Sequence, residues 1–280
     1  MAVYYIDGKF VEASEAVLPV SDLAILRGYG VFDFMRTYNG RPFHLEDHLN
    51  RLRNSAGLIG INCPWTNEEL VSIVTVTLAK NSFDESSVRL LITGGDSDDG
   101  ISPGKNPRLL IIVSKALAFP DECYRDGSRI ITSRQTRYIP GAKSIDYIRA
   151  IMTLRVAKAE DAIESVYTTE EDHVLEGTTS NLFIVKDGVL ITPSEDILPG
   201  ITREVLLEIL KPEFELQVRP VLRQELIDAD EVFMASSNKE VMPVVGVDQQ
   251  TIGDGRPGSV TRKVMEIFRG YTERYGKNED

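Results

Sequence analysis

Three separate segments carry groups that could do chemistry. Lys143 stands just before a segment with helical periodicity, and the amine of a desolvated lysine has a lowered pKa and can attack carbonyl carbons. Glu176 follows an apolar pair of residues and could present a carboxylate to a pyridine nitrogen. Residues 198–203, Leu-Pro-Gly-Ile-Thr-Arg, begin a helix whose first amides attract anions. An amine, a carboxylate and an anion site are what a phosphorylated pyridine aldehyde requires.

Each group also has a structural interpretation. Lysines before helices are commonly surface residues, and the Gly-Thr-Thr-Ser-Asn run after Glu176 could be a solvated turn in which hydroxyls satisfy backbone groups. Many helices begin with glycine without binding a ligand. A further hydroxyl-rich turn at residues 236–238, Ser-Ser-Asn, could also hold a phosphate.

The composition narrows the classes of function. The 280 residues are 42% hydrophobic and 26% charged, which is ordinary for a globular protein of one or two domains. A formal net charge of −12 argues against a nucleic-acid surface, which requires clustered lysine and arginine. It does not prevent the binding of a small anion, because a local basic site can lie on an acidic protein.

The thiols and the start of the chain indicate the compartment. Cys63 and Cys123 lack metal-site spacing and are expected to be free thiols in a reducing cytosol. The chain runs from Met1 directly into an Asp7-Gly8 hairpin turn, so no signal peptide is predicted. No apolar run reaches membrane-spanning length. We therefore predict a cytoplasmic protein.

The elements that must position these groups follow from periodicity. Alternating strands and helices predict an α+β fold, with a small α/β domain over residues 1–115, a linker over 116–127 and a large domain over 128–280. Helices are predicted over residues 45–58, 67–80, 145–162 and 202–210 and from 259 onward. The helix after Lys143 is expected to turn its larger apolar side chains toward a core; these are Ile148, Ile151, Met152 and Val156.

Taken together, the motifs resemble the class IV aminotransferases, fold-type IV enzymes that use pyridoxal 5′-phosphate. The resemblance is carried by the runs E-x-T-x-x-N-L-F from Glu176, L-x-T from Leu190 and L-x-G-I-x-R from Leu198. It extends to H-L-x-x-H-L-x-R-L-x-x-S-A from His44 and to E-V-x-P from Glu240. It therefore covers nearly the whole chain, and it implies a two-domain architecture with the cofactor at the domain cleft.

The resemblance also implies roles for residues. Lys143 would bind the cofactor covalently and then act as acid and base in the 1,3-proton shift, while Glu176 would pair with the pyridinium nitrogen. Tyr147 would donate a hydrogen bond to the ring hydroxyl. The phosphate would be bound by Arg51, the amides of Ile201 and Thr202, the Thr202 hydroxyl and Ser237.

The substrate is less well specified. The run Lys-Ser-Ile-Asp from Lys143 is similar to that of D-amino acid transaminases, which usually bind the substrate carboxylate with an Arg-x-His pair in the loop after the strand that ends at Thr93. Here that loop reads Thr-Gly-Gly-Asp, without arginine or histidine. We hypothesise that Arg27, Arg89 or both replace the missing pair, since a guanidinium suits a carboxylate. The alternative is that both form structural ion pairs.

The predicted function is transamination between an amino acid, with D-amino acids favoured, and a 2-oxo acid such as 2-oxoglutarate or pyruvate. The alternatives are a branched-chain L-amino acid aminotransferase, an aminodeoxychorismate-type lyase and a non-catalytic cofactor-binding protein. The resemblance implies a homodimer in which Arg27 could act across the interface. No metal site is predicted, because His44 and His48 lack the glutamate spacing of zinc helices.

Overall fold

The computed structural model describes residues 2–277, which form an α+β chain with two sheets. The chain divides into two compact units. Unit 1 contains residues 2–117, 141–147 and 275–277 of the described part, and unit 2 contains residues 118–140 and 148–274. The short segment 141–147, which carries Lys143, therefore packs with the N-terminal part of the chain.

Unit 1 is built on a six-stranded antiparallel sheet with the strand order β2-β1-β6-β5-β3-β4. Its helix α2 packs on β3, and α3 packs on β1 and β6. The elements are β1 (Val3–Ile6), β2 (Lys9–Glu12), α1 (Leu23–Arg27), β3 (Gly30–Tyr38), β4 (Arg41–Pro42), α2 (Leu45–Leu58), α3 (Asn67–Ala79), β5 (Ser86–Thr93) and β6 (Arg108–Lys115).

Alternate side chains of β3 lie on opposite faces of the sheet in unit 1. Val31, Asp33 and Met35 are fully buried, and the two apolar residues belong to the core that α2 and α3 cover. Phe32 and Phe34 are half-buried on the opposite face. Successive side chains of a strand point to opposite faces, so a buried carboxylate and two accessible aromatic rings come from one short run of sequence.

Unit 2 is built on a ten-stranded mixed sheet with the order β12-β11-β10-β14-β15-β7-β8-β9-β13, and β16 pairs with β15. The helix α5 packs on β7 and β8, while α8 packs on β14 and β15. The elements are α4 (Asp121–Arg125), β7 (Ser128–Arg134), α5 (Ile148–Ala159), β8 (Glu164–Thr168), β9 (His173–Gly177), β10 (Asn181–Lys186), β11 (Val189–Thr192), α6 (Ile201–Ile209), β12 (Leu216–Val218), β13 (Val221–Leu222), α7 (Arg223–Ile227), β14 (Glu231–Ser236), β15 (Glu240–Val247), β16 (Gln250–Thr251) and α8 (Ser259–Arg274).

The helix after Lys143 differs from its prediction. It is three residues shorter at each end than the predicted 145–162, and its large apolar side chains do not face a core. Ile148, Ile151, Met152 and Val156 are 68%, 56%, 63% and 51% exposed. The small side chains of Ala150 and Ala157 are the buried ones, so the helix packs on its sheet through the opposite side. The expectation of a core-facing apolar stripe was wrong for the single chain.

Two absences are clear within residues 2–277. None of their helices is both long and apolar enough to cross a membrane. None of their histidine, cysteine, aspartate and glutamate side chains cluster as a metal site would require.

Candidate active site

Lys143 is half-buried in the extended segment before α5, where backbone contacts fix it against unit 1. Its N–H donates to Ser55 Oγ at 3.0 Å, and its carbonyl accepts from the Phe32 N–H at 2.9 Å. The next residue, Ser144, forms a β-bridge with Val31. The Lys143 Nζ lies 4.8 Å from the centroid of the Phe32 ring. The amine is therefore held on the aromatic face of β3.

Tyr147 lies on the same face. Its ring contacts Phe32 edge-on, with centroids 5.4 Å apart and an angle of 69° between the planes. Phe32 therefore contacts both the amine of Lys143 and the ring of Tyr147, as the predicted roles of those two residues at one cofactor require.

Arg51 is buried on α2 and is oriented by a carboxylate of β3. Its Nε donates to Asp33 Oδ2 and its Nη2 to Asp33 Oδ1, each at 2.8 Å. Burial alone would raise the pKa of Asp33, but the charge of Arg51 and the hydrogen bonds from Arg51 and His48 outweigh it and hold the pKa well below its usual range. The Asp33 carboxylate is thus ionised, and it fixes the guanidinium in one orientation.

His48 completes this buried group. Its Nδ1 lies 2.6 Å from Asp33 Oδ1. Burial lowers the pKa of the imidazole more than Asp33 raises it, and the charges of Arg51 and Lys143 lower it further. A neutral His48 therefore donates from Nδ1, which leaves Nε2 as an acceptor that has no hydrogen-bond partner among residues 2–277.

Glu176 is buried at the end of β9, with donors on both carboxylate oxygens. Oε1 lies 2.9 Å from Arg137 Nη2. Oε2 accepts from the Leu198 N–H at 3.0 Å and from Asn181 Nδ2 at 3.4 Å. These contacts pair the carboxylate with a cation and hold it in one orientation. Arg137 was not predicted as a site residue, because it lies in a polar loop without a recognisable motif.

The start of α6 packs closely against Asn181. Gly200 is the N-cap, and no side chain in the described part of the chain caps the helix. A Cβ at Gly200 would overlap Asn181 Oδ1, so only glycine fits there. Ile201 and Thr202 supply the first amides of the nine-residue helix, and both side chains are buried. Amides at such a position suit an anion.

Ser237 is half-buried in the turn at residues 236–239, which joins β14 to β15. The turn is closed by a hydrogen bond from the Lys239 N–H to Ser236 Oγ at 3.3 Å. Glu176, the start of α6 and this turn all belong to unit 2, whereas Lys143, Tyr147 and Arg51 belong to unit 1.

The two arginines proposed for the substrate occupy different positions in unit 1. Arg89 is exposed on β5, and its guanidinium lies 5.9 Å and 5.7 Å from the ring centroids of Phe32 and Phe34. It thus shares Phe32 with Lys143. Arg27 is exposed at the end of α1, where it donates to the Leu26 carbonyl at 2.8 Å. Within the described residues, neither arginine forms a salt bridge.

The loop after β5 carries acidic groups and not a cationic pair. Thr93 Oγ1 donates to Asp22 Oδ2 at 2.8 Å, and Asp96 is paired with Arg108. Arg108 also lies 2.8 Å from Asp7 and 3.3 Å from Asp22. Three carboxylates therefore surround one guanidinium here, and the local charge does not favour a substrate carboxylate.

Each unit offers groups of the kinds that pyridoxal 5′-phosphate requires. Unit 1 offers a half-buried amine and a buried arginine that is already oriented. Unit 2 offers a carboxylate paired with an arginine and a helix start that no side chain caps within residues 2–277. The ring nitrogen, aldehyde and phosphate of the cofactor call for these four kinds of group.

The comparisons with known proteins identify the family. The family profile of the class IV aminotransferases matches residues 30–247. A Methanocaldococcus jannaschii protein, provisionally named a branched-chain-amino-acid aminotransferase, is 34% identical over 97% of both chains. A Listeria monocytogenes D-alanine aminotransferase is 30% identical over 94% of this chain and 93% of its own.

Solved structures agree across the whole chain. The Escherichia coli branched-chain amino acid aminotransferase superposes with a TM-score of 0.92 at 28% identity, covering 100% of this chain and 96% of its own. A T.th. branched-chain amino acid aminotransferase, solved with pyridoxamine 5′-phosphate, gives a TM-score of 0.90 at 30% identity over 99% and 96% of the two chains. The predicted fold-type IV architecture, transaminase activity and pyridoxal phosphate cofactor are thereby confirmed. The chain is a member of the class IV aminotransferase family.

Proposed function

We propose that Lys143 holds the cofactor and moves the proton during transamination. When bound, pyridoxal 5′-phosphate supplies the electron sink. The amine of Lys143, fixed over Phe32, holds the aldehyde end and then carries the proton between the α-carbon of the substrate and the cofactor. Glu176, paired with Arg137, holds the protonated ring nitrogen.

The remaining cofactor contacts are proposed on the same basis. Tyr147 donates to the ring hydroxyl, supported by its contact with Phe32. Asp33 holds the Arg51 guanidinium in one orientation for the phosphate. The other phosphate ligands are the amides of Ile201 and Thr202, the Thr202 hydroxyl and Ser237.

We further propose that the enzyme exchanges amino groups between branched-chain L-amino acids and 2-oxoglutarate. The observation that carries this is the position of Arg89, which shares the Phe32 ring with the Lys143 amine. The Phe32 and Phe34 rings would accept an apolar side chain, and the exposed guanidinium would bind the distal carboxylate of glutamate or 2-oxoglutarate. One site would thus accommodate both substrates.

Transamination of D-amino acids is the second candidate. It is favoured by the run of residues 143–146 and by the likeness to a D-alanine aminotransferase. The charge near the loop after β5 counts against it, since Asp96 of that loop, together with Asp7 and Asp22, surrounds Arg108 where D-specific enzymes place a cationic pair.

The substrate proposal is tested by mixing the purified holoenzyme with single amino acids and following the visible absorbance of the bound cofactor. We expect rapid change with L-leucine and L-glutamate and slow change with D-alanine. Rapid change with D-alanine alone would establish the second candidate, and no change with any amino acid would favour a lyase.

The role of Arg89 is tested by steady-state kinetics with two oxo acids, one with and one without a distal carboxylate. A hydrogen bond to a charged group contributes about 1.5–3 kcal/mol, so Arg89→Leu is expected to raise KM for 2-oxoglutarate roughly 10- to 100-fold. KM for 4-methyl-2-oxopentanoate, which has no distal carboxylate, should change little. Arg27→Leu is the matched control in the same unit. An equal rise for both oxo acids in Arg89→Leu, or a rise for 2-oxoglutarate in Arg27→Leu alone, would contradict this role.

We also propose that the enzyme is a homodimer and that the exposed face of α5 lies in its interface. Ile148, Ile151, Met152 and Val156 recur at helical spacing on one face, each at least half exposed. A second copy of the chain would bury these side chains, and their burial is favourable at about 25 cal/mol per Å².

The dimer is tested by sedimentation velocity. The wild-type chain is expected to sediment as a dimer, and a double substitution of Ile151 and Met152 by aspartate as a monomer. Lys158→Glu changes an exposed residue of the same helix and serves as the control. A wild-type monomer, or a double variant that still dimerises fully, would disprove the assignment.

A cytoplasmic location is proposed from the sequence alone.

A further inference from the structure

Unit 2 contains a buried ion pair that lies outside the residues assigned to the cofactor. Glu164 on β8 is 0% exposed and Lys239 is 3% exposed, and Lys239 Nζ lies 3.0 Å from Glu164 Oε2. Burying two charges costs free energy that their attraction often only offsets, so apolar replacements of such pairs are frequently neutral or stabilising. Stability alone therefore does not explain why the pair is present.

Glu164 accepts hydrogen bonds from one short loop. The hydroxyls of Thr178 and Thr179 donate to its two oxygens, the second at 2.7 Å, and Ser180 Oγ donates at 3.3 Å. Burial opposes ionisation, but Lys239, and then the Thr178 hydroxyl, lower the pKa of Glu164 below its ordinary value. The carboxylate is thus charged, and the loop at residues 178–180 is fastened to it.

That loop joins the two residues that shape the ring-nitrogen site. Glu176 precedes it and Asn181 follows it, and the Gly177 N–H donates across it to the Ser180 carbonyl at 2.7 Å. A Cβ at Gly177 would overlap Ser180 Oγ, so the turn is too tight for another residue. Fixing the hydroxyls on Glu164 consequently fixes the point from which the Glu176 carboxylate projects.

Lys239 belongs to the other turn, at residues 236–239, which carries Ser237. Its carbonyl accepts from the Tyr124 hydroxyl at 3.1 Å, and its Nζ donates to Thr179 Oγ1 at 2.5 Å as well as to Glu164. One buried side chain therefore ties the turn assigned to the phosphate to the loop assigned to the ring nitrogen.

We propose that the Lys239–Glu164 pair is a positioning element, which sets the separation between the Glu176 carboxylate and the Ser237 turn so that one cofactor contacts both. This rests on the proposed assignment of Glu176 to the ring and of Ser237 to the phosphate. A ligand that spans two sites gains affinity only when their spacing matches its own length. The pair would supply that match.

The prediction concerns binding of the whole cofactor and of its parts. The double variant Lys239→Met with Glu164→Gln removes both charges of the pair. Its Kd for pyridoxal 5′-phosphate is expected to rise by about 10- to 100-fold, because the ring site and the phosphate site would no longer be spaced to bind one ligand together. The Kd values for pyridoxal, which lacks the phosphate, and for inorganic phosphate should change by less than about threefold.

The measurements use the apo form of the full chain, with absorbance for the two aldehydes and calorimetry for phosphate. Circular dichroism melting of each apo variant establishes that it is folded at the titration temperature. Arg223→Met breaks another ion pair of unit 2, between Arg223 and Asp248, and should leave all three affinities unchanged. Should the double variant not fold, Lys239→Arg, which keeps the charge with a different geometry, is expected to show the same selective loss more weakly.

The outcomes separate the two proposals. Wild-type affinity for pyridoxal 5′-phosphate in the variants, or an equal loss for all three ligands, would overturn the positioning role while the proposed function stands. Failure of the wild-type chain to bind pyridoxal 5′-phosphate would overturn the cofactor assignment and the positioning role with it.

Discussion

Replacing Lys143 by alanine is expected to lower the transamination rate by at least about 1,000-fold, because a positioned acid–base group contributes roughly 10²- to 10⁴-fold and covalent attachment is lost as well. The backbone contacts of Lys143 indicate that the substitution removes the reactive amine without disturbing the local fold. The hydrogen bonds with Ser55 and Phe32 involve the backbone of Lys143, and Ser144 forms the bridge to β3. The alanine variant should therefore keep the segment in place.

Two readouts distinguish loss of the amine from loss of the fold. The visible absorbance of the bound cofactor should shift to that of the free aldehyde in Lys143→Ala, while the melting temperature of the apo chain changes little. Lys115→Ala, at an exposed lysine that ends β6 in the same unit, should keep both the rate and the spectrum. A rate within tenfold of the wild type in Lys143→Ala would refute the assignment.

Local sequence patterns were sufficient to predict the bounds of α2, which carries Arg51, and a hairpin of the same unit. The 3.6-residue period of the leucines in α2 predicted its bounds, Leu45–Leu58, and those bounds are confirmed. The Asp7-Gly8 pair predicted the hairpin between β1 and β2, and both residues have the positive φ angles, 46° and 91°, that such a two-residue turn requires. These features depend on neighbours in the sequence, so the sequence alone specifies them.

Contacts between distant residues could not be predicted in this way. Arg137 and Glu176, or Glu164 and Lys239, come together only when strands far apart in the chain pair in register. A lone arginine in a polar loop carries no sign of its partner. The periodicity of α5 likewise indicates an apolar face but not what covers it, because intramolecular and intermolecular burial leave the same pattern.

Arg137, whose contact with Glu176 only the structure reveals, is expected to affect catalysis strongly when it is replaced. Removing one partner of a buried ion pair costs about 3–5 kcal/mol, because a charge is left without compensation. In Arg137→Met the Glu176 carboxylate would lose the guanidinium and keep the Leu198 amide and the Asn181 side chain as donors. The buried carboxylate would then lack the cation that offsets its burial, and it would hold the protonated ring nitrogen less firmly. We therefore expect kcat to fall by about 100-fold at neutral pH.

A double-mutant cycle of Arg137→Met and Glu176→Gln identifies this cause. Because both residues act through one contact, the double variant should lose no more than Glu176→Gln alone. Arg134→Met, at an exposed arginine of the same segment that pairs with Asp172, is the control. Additive losses would mean that Arg137 acts in some way other than through Glu176.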